Sequence, residues 1–188
     1  MVYDWVGSSY LPSDQSKDYL DNRYGYYQKY RHHWTMRPES DGDMTNLENI
    51  NYLHITYGNT FDFYSSDAGL GVESDFNDQE ELKSQLHTGC DLAALRLLRT
   101  RGWIILKQYT LFKRKPIITF LQYCCFEKLF LVKPVTSRPY NSELYIVVIN
   151  FKGETDPDVV AATQVLTQLM LGHAIELSTI RTEGLRSG

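Results

Sequence analysis

The stretch that most limits what this chain can become is Lys133-Pro134-Val135-Thr136-Ser137-Arg138-Pro139-Tyr140-Asn141-Ser142-Glu143, followed at once by Leu144-Tyr145-Ile146-Val147-Val148-Ile149. The second half is a short apolar run rich in β-branched residues, which predicts a buried strand. The first half is polar, basic and interrupted by two prolines, which predicts a loop. Glu143 stands at the junction, so the strand holds its carboxylate in place.

Elsewhere the pattern alternates between strands and helices, as in an α/β sheet. Thr60-Phe61-Asp62-Phe63-Tyr64-Ser65-Ser66-Asp67-Ala68-Gly69 reads as a buried strand that ends on Asp67. Residues 79–99 form an amphipathic helix, with Leu82, Leu86, Cys90, Ala93, Ala94, Leu97 and Leu98 as its core stripe and Gly102 past its end. Trp103 to Tyr109 is a strand whose four apolar residues lead into Lys107. A lysine closing such a strand is costly to desolvate unless it meets an acid or a substrate, although a snorkelling lysine is the plainer reading. A helix from Ile117 to Phe126, a strand from Lys128 to Val132 and a closing helix from Val159 to Leu177 complete the order, and residues 178–188 read as a flexible tail.

At 188 residues the chain suits one domain with a sizeable core. It holds no apolar run long enough to span a bilayer and no secretory signal pattern, which predicts an intracellular, non-membrane protein. Cys90, Cys124 and Cys125 are odd in number and sit in apolar surroundings, so buried thiols are expected rather than a disulfide frame or a metal site. The net charge of −4 hides a partition. Residues 1–95 carry 6 Lys/Arg against 16 Asp/Glu, residues 96–138 carry 10 against 1, and residues 139–188 carry 3 against 6. The basic middle suits a phosphate backbone, or is simply a solvated face.

Residues 1–34 form an N-terminal segment in which Tyr24, Tyr26, Tyr27, Tyr30, His32, His33 and Trp34 are mixed with Arg23, Lys29 and Arg31. Such a mixture can stack bases, or can be a half-buried strand or surface loop. In Ser40-Asp41-Gly42-Asp43-Met44-Thr45-Asn46 the residue types also suit an ordinary turn and helix cap.

Three of these stretches together resemble the FtsJ-like RNA ribose 2′-O-methyltransferases, above all the branch that methylates the first nucleotides of capped mRNA. They are Asp41-Gly42-Asp43-Met44-Thr45, Ser66-Asp67-Ala68-Gly69, and the Lys133 to Glu143 loop with its strand. The resemblance covers residues 35–152, and with the closing helix it implies a partial methyltransferase domain over residues 35–177. The implied fold is a Rossmann-like sheet with helices on both faces, whose working residues stand at the carboxyl ends of strands. The two strands flanking the Lys133–Glu143 loop are expected to form its antiparallel edge hairpin. The implied activity is transfer of a methyl group from S-adenosylmethionine to a ribose 2′-hydroxyl of RNA.

By the same resemblance, Asp67, Lys107 and Glu143 are three members of a Lys-Asp-Lys-Glu tetrad, with the lysine ammonium lying between the two carboxylates. Asp43 and Asp67 are the implied cofactor contacts, Asp43 meeting the adenine. Lys113, Arg114, Lys115, Lys133, Ser137 and Arg138 would hold the RNA backbone, positioning it without reading its bases. The partner implied is RNA, capped mRNA first, met in the nucleus, the cytoplasm or a viral replication site. No metal is expected.

The family's Gly-x-Pro-Gly-Gly-Phe segment, which meets the methionine end of the cofactor, and the first tetrad lysine have no counterpart before Asp43. The expected sheet therefore lacks its first βα unit. Three accounts stay open: part of a longer polypeptide, a strand supplied by another chain, or a degenerate relative acting as a non-catalytic RNA-binding or scaffold module.

Overall fold

The computed structural model describes residues 4–11, 24–69, 84–108, 124–135 and 143–173. Its centre is a four-stranded sheet of order β1-β2-β4-β3, where β1 is Phe61–Ser66, β2 Leu98–Gln108, β3 Phe126–Val132 and β4 Leu144–Phe151. β1 and β2 are parallel, whereas β4 runs antiparallel to both β2 and β3. The hairpin expected around the Lys133 loop is therefore present.

Helices α1 (Tyr26–Lys29), α2 (Leu47–Tyr57), α3 (Ser84–Leu97) and α4 (Pro157–Met170) complete the described elements, with a 3₁₀ turn at Arg31–His33. The core joins the buried side of the sheet (Leu98, Ile104, Leu106, Ile146, Val148, Phe151) to α3 and to Val159, Ala162 and Leu166 of α4. Helix α3 lies between α2 and α4. At its end Arg96 ties all three, donating to Asn51 Oδ1 of α2 at 2.6 Å and to Thr167 Oγ1 of α4 at 3.2 Å. Burial lowers the pKa of this guanidinium from its ordinary value.

Several sequence expectations are corrected. The helix expected over 79–99 ends at Leu97, and β2 starts at once with Leu98, five residues before the expected strand. Apolar Leu97 and Leu98 continue the helical spacing, so nothing in the pattern marks the change. Gly102 is no helix stop. It is buried inside β2, where an added Cβ would lie 2.9 Å from the Arg99 carbonyl oxygen and 3.1 Å from that of Asp62. Residues 99–102 form an irregularity: Leu98 faces Phe61 and Trp103 faces Phe63, five steps along β2 against two along β1, with Arg101 at φ 69°.

β1 is not the buried strand expected, because Asp62, Phe63 and Ser65 are exposed. Phe63 stacks on Trp103 across the outer side of the sheet at 4.0 Å between centroids. Phe126 opens β3 instead of closing a helix, and the rest of the helix expected from Ile117 lies largely outside the described residues. Helix α4 begins two residues early. Asp156 caps it by accepting from the Asp158 amide at 2.9 Å, and Pro157 fills the first turn. Helix α2 is announced in the sequence only by its capping residues. Asn46 caps it, accepting from the Glu48 amide at 2.9 Å.

Candidate active site

Register decides which side chains meet. Ser66 of β1 faces Leu106 of β2, so Asp67 comes beside Lys107. Lys107 in turn is the direct cross-strand partner of Tyr145 on β4. Glu143 lies two residues before Tyr145 and so shares its side of the sheet. Asp67, Lys107, Tyr145 and Glu143 thus form a row across three adjacent strands.

The contacts follow the row. Lys107 Nζ lies 3.0 Å from Asp67 Oδ1, the lysine side chain 12% exposed and the aspartate 77%. The cation is therefore largely withdrawn from water while its partner opens to solvent. The Tyr145 hydroxyl is 3.2 Å from Asp67 Oδ1 and 3.4 Å from Glu143 Oε1. A phenol has one proton, so it donates to one carboxylate at a time. Burial, then the charges of Asp67 and Glu143, push its pKa up to about 12. It is a neutral donor at ordinary pH.

The row rests on a polar seam between the sheet and α3. Ser66, next to Asp67, donates to Cys90 Sγ at 3.3 Å. Gln108, next to Lys107, donates through Nε2 to Asp91 Oδ1 at 3.4 Å, and both residues are buried. Burial, then Cys90 and Asp91, keep the Tyr64 phenol protonated well above its usual range. Alternation along each strand turns Ser66 and Gln108 inward, which leaves Asp67 and Lys107 outward. The sequence pattern makes α3 look like apolar packing, yet His87, Thr88 and Asp91 are also buried on it.

Asp43 stands in a loop before α2, not at the end of a strand among the described residues. Its Oδ1 accepts from the Thr45 amide at 2.8 Å and its carbonyl oxygen from Asn49 Nδ2 at 2.8 Å. Two glycines place the loop. Gly42 has φ +78°, and a Cβ there would fall 2.2 Å from the Ser9 carbonyl oxygen. Gly89 of α3 lets the Met44 carbonyl oxygen approach so closely that a Cβ would lie 1.9 Å from it. Gly89 adjoins Cys90, which holds Ser66, so one turn of α3 touches both the Asp43 loop and the end of β1.

Lys133 is exposed, and its ammonium donates to the Glu143 carbonyl oxygen at 2.6 Å, bracing the strand ends where β3 and β4 meet the loop. Lys113, Arg114, Lys115, Ser137 and Arg138 lie outside the described residues. Cys90 and Cys125 are buried and Cys124 is partly so, and none of the three is in a disulfide. Burial raises the Cys125 thiol far above its usual value. Among the described residues no His/Cys/Asp/Glu group could hold a metal ion, and no helix is long and apolar enough to cross a membrane.

The structure brings together all three residues expected at the centre. Glu143 is joined to the Asp67–Lys107 pair through Tyr145, which sequence reasoning misses. The signal that could have found it is the Glu-x-Tyr spacing, which puts both side chains on one side of β4.

A parallel strand pair joined to an antiparallel hairpin, with ionisable side chains gathered on one side of the strands, is the mixed α/β sheet that the family resemblance implies. The family model described as FtsJ-like methyltransferase matches residues 18–151, and the chain belongs to that family. It is 38% identical over 160 residues to "Probable methyltransferase EP424R" of African swine fever virus (strain Badajoz 1971 Vero-adapted), covering 78% of this chain and 37% of the relative. It is 42% identical over 120 residues to "Cap-specific mRNA (nucleoside-2'-O-)-methyltransferase 1" of Bos taurus, covering 61% of this chain and 14% of the relative. The chain thus spans well under half the length of the curated relatives it matches.

FtsJ-like methyltransferases generally use S-adenosylmethionine. In the Asp43 turn one carboxylate oxygen is taken by the Thr45 amide, and the second can still accept a hydrogen bond. No group among the described residues is assigned to the cofactor's methionine end.

Proposed function

We propose that the chain carries the acceptor side of an RNA 2′-O-methyltransferase site, acting on cap-adjacent nucleotides of mRNA. The observation that carries this reading is the 3.0 Å pair of Lys107 Nζ and Asp67 Oδ1, with Glu143 linked to Asp67 through the Tyr145 phenol. The likeness to the bovine cap-specific enzyme favours capped mRNA as the acceptor.

S-adenosylmethionine, when bound, supplies an electrophilic methyl group on a sulfonium. The chain's own residues act on the acceptor. A ribose hydroxyl is too weak an acid to ionise at neutral pH, so its oxygen must be oriented and its developing negative charge met. Lys107, held at one end by Asp67, points an ammonium at that oxygen. Tyr145 donates to Asp67 and so fixes the lysine's partner, with Glu143 as the phenol's alternative acceptor. Asp43 orients the cofactor's adenine, and the basic residues 113–115, 133 and 138 carry the RNA backbone. An RNA acceptor places this action inside a cell, in the nucleus, the cytoplasm or a viral replication site.

A tritiated-methyl assay on capped RNA tests the reading. Lys107→Ala is expected to abolish transfer while leaving the thermal melt in place, and a fully active variant would discard the assignment. A second reading is a non-catalytic RNA-binding or scaffold relative. Calorimetry separates the two: heat and a thermal shift on adding S-adenosylmethionine support the enzyme, and neither supports the module.

A further inference from the structure

We propose that Tyr24, Tyr26 and Tyr30, with Lys29 and Arg31 beside them, form a stacking surface for the bases of single-stranded RNA, outside the Asp67–Lys107 row. The inference rests on the reading that the acceptor is RNA and adds a place where the strand is held.

These rings are not core. Helix α1 buries none of its residues, and Tyr24 and Tyr26 are 74% and 58% exposed. Tyr26 and Tyr30 are four apart and share one side of the helix, their planes within 24° of parallel and their centroids 6.3 Å apart. Tyr24 lies 6.0 Å from Tyr26, its plane tilted by 45°. An exposed run of flat rings costs solvation in a chain with no use for it, and each base has a face that can cover one.

The surface has a rigid backing. Trp5 stacks on His33 at 4.3 Å and meets Tyr30 edge-on at 6.0 Å. His33 Nδ1 lies 2.8 Å from the Trp5 carbonyl oxygen. Backbone bonds from Gly7 to His33 and from Thr35 to Gly7, at 2.8 and 2.9 Å, clamp the segment, and Leu11 reaches the Asp41 carbonyl oxygen at 2.6 Å. The rings are therefore tied to the loop that carries Asp43.

Charge selects the ligand. Residues 1–95 hold only 6 Lys/Arg against 16 Asp/Glu, yet Arg23, Lys29, Arg31 and Arg37 fall within 15 consecutive positions that contain no acid. Lys29 Nζ lies over the Tyr30 ring at 5.1 Å and the Arg31 guanidinium over Tyr27 at 5.0 Å. In space Glu48 pairs with Arg37 at 3.0 Å and Asp4 lies 3.6 Å from His33 Nδ1, so Lys29 and Arg31, over the tyrosine faces, are the cations offered to a polyanion with flat bases. Beside it a cavity of about 360 Å³, lined by Arg31, Trp34, Arg37, Glu39, Ser40 and Tyr52 among others, has room for one nucleobase.

The test is a fluorescence titration of the chain with labelled oligouridylate. Tyr24→Leu and Tyr26→Leu are each expected to weaken binding about tenfold while leaving the salt dependence unchanged. Tyr26→Phe, which keeps the ring, should restore affinity. Lys29→Gln should flatten the slope of log affinity against log salt by about 0.7. Thermal melts confirm that each variant is folded. Unchanged affinity in both leucine variants overturns the stacking surface and leaves the RNA acceptor standing. An unaltered chain that binds no oligouridylate and no capped RNA overturns both.

Discussion

At the scale of single residues, the site depends on a tyrosine with one proton and two acceptors. Tyr145→Phe removes that proton, the one donor that Asp67 and Glu143 share. Hydrogen bonds to charged groups contribute about 1.5–3 kcal/mol, so kcat/KM is expected to fall about tenfold or more while cofactor affinity holds. The phenol's pKa lies at about 12, above its ordinary 10.0. Because the folded state holds this proton more tightly, the associated stability is complete below pH 10 and is lost as pH rises towards 12. Tyrosinate absorbance in an alkaline titration, compared between the parent and Tyr145→Phe, checks the sign. Asp67, Lys107 and Glu143 stand at the ends of strands that can be read in the sequence, but their grouping into one site follows from the family likeness. Tyr145 is not legible there, since tyrosine is an ordinary strand residue and its role appears only once β4 is set against β2.

At the scale of elements, α3 is the organiser, and Gly89 is where it admits the Asp43 loop. Gly89→Ala would put a methyl group 1.9 Å from the Met44 carbonyl oxygen, so helix or loop must move. Overpacking of this kind costs about 1–3 kcal/mol. The expected result is a lower melting temperature together with weaker S-adenosylmethionine binding, whereas Gln85→Ala, at an exposed position of the same helix, should change neither. Sequence reasoning finds α3 and the strands around it but misplaces their joints. Leu97–Leu98 keeps the helical spacing across a boundary, and the irregular residues 99–102 hide the start of β2 behind polar side chains and a glycine. Asp156-Pro157 is a readable start signal that the apolar spacing from Val159 overshadows. The polar face of α3 is illegible for another reason: Asp91 sits at a core position because it faces Gln108 of β2, a pairing that only the tertiary structure supplies.

At the scale of the whole molecule, charge partition matters more than net charge. Residues 96–138 hold 10 basic residues against 1 acid, in a chain whose total is −4. Affinity for single-stranded RNA is therefore expected to fall steeply with salt, and Arg138→Ala to reduce the slope by about 0.7 while weakening every sequence alike. A salt titration with two unrelated oligonucleotides checks both statements. The partition can be counted from the sequence, but the hairpin at the sheet's edge follows from the family likeness and not from any spacing. What neither supplies is the path between the Asp43 loop and the lysine. That path is short: Met44 carbonyl, Gly89, Cys90, Ser66, then Asp67. With no side-chain cushion between the Met44 carbonyl and Gly89, a tilt of the helix is passed on undamped, so loading one ligand should stiffen the seat of the other.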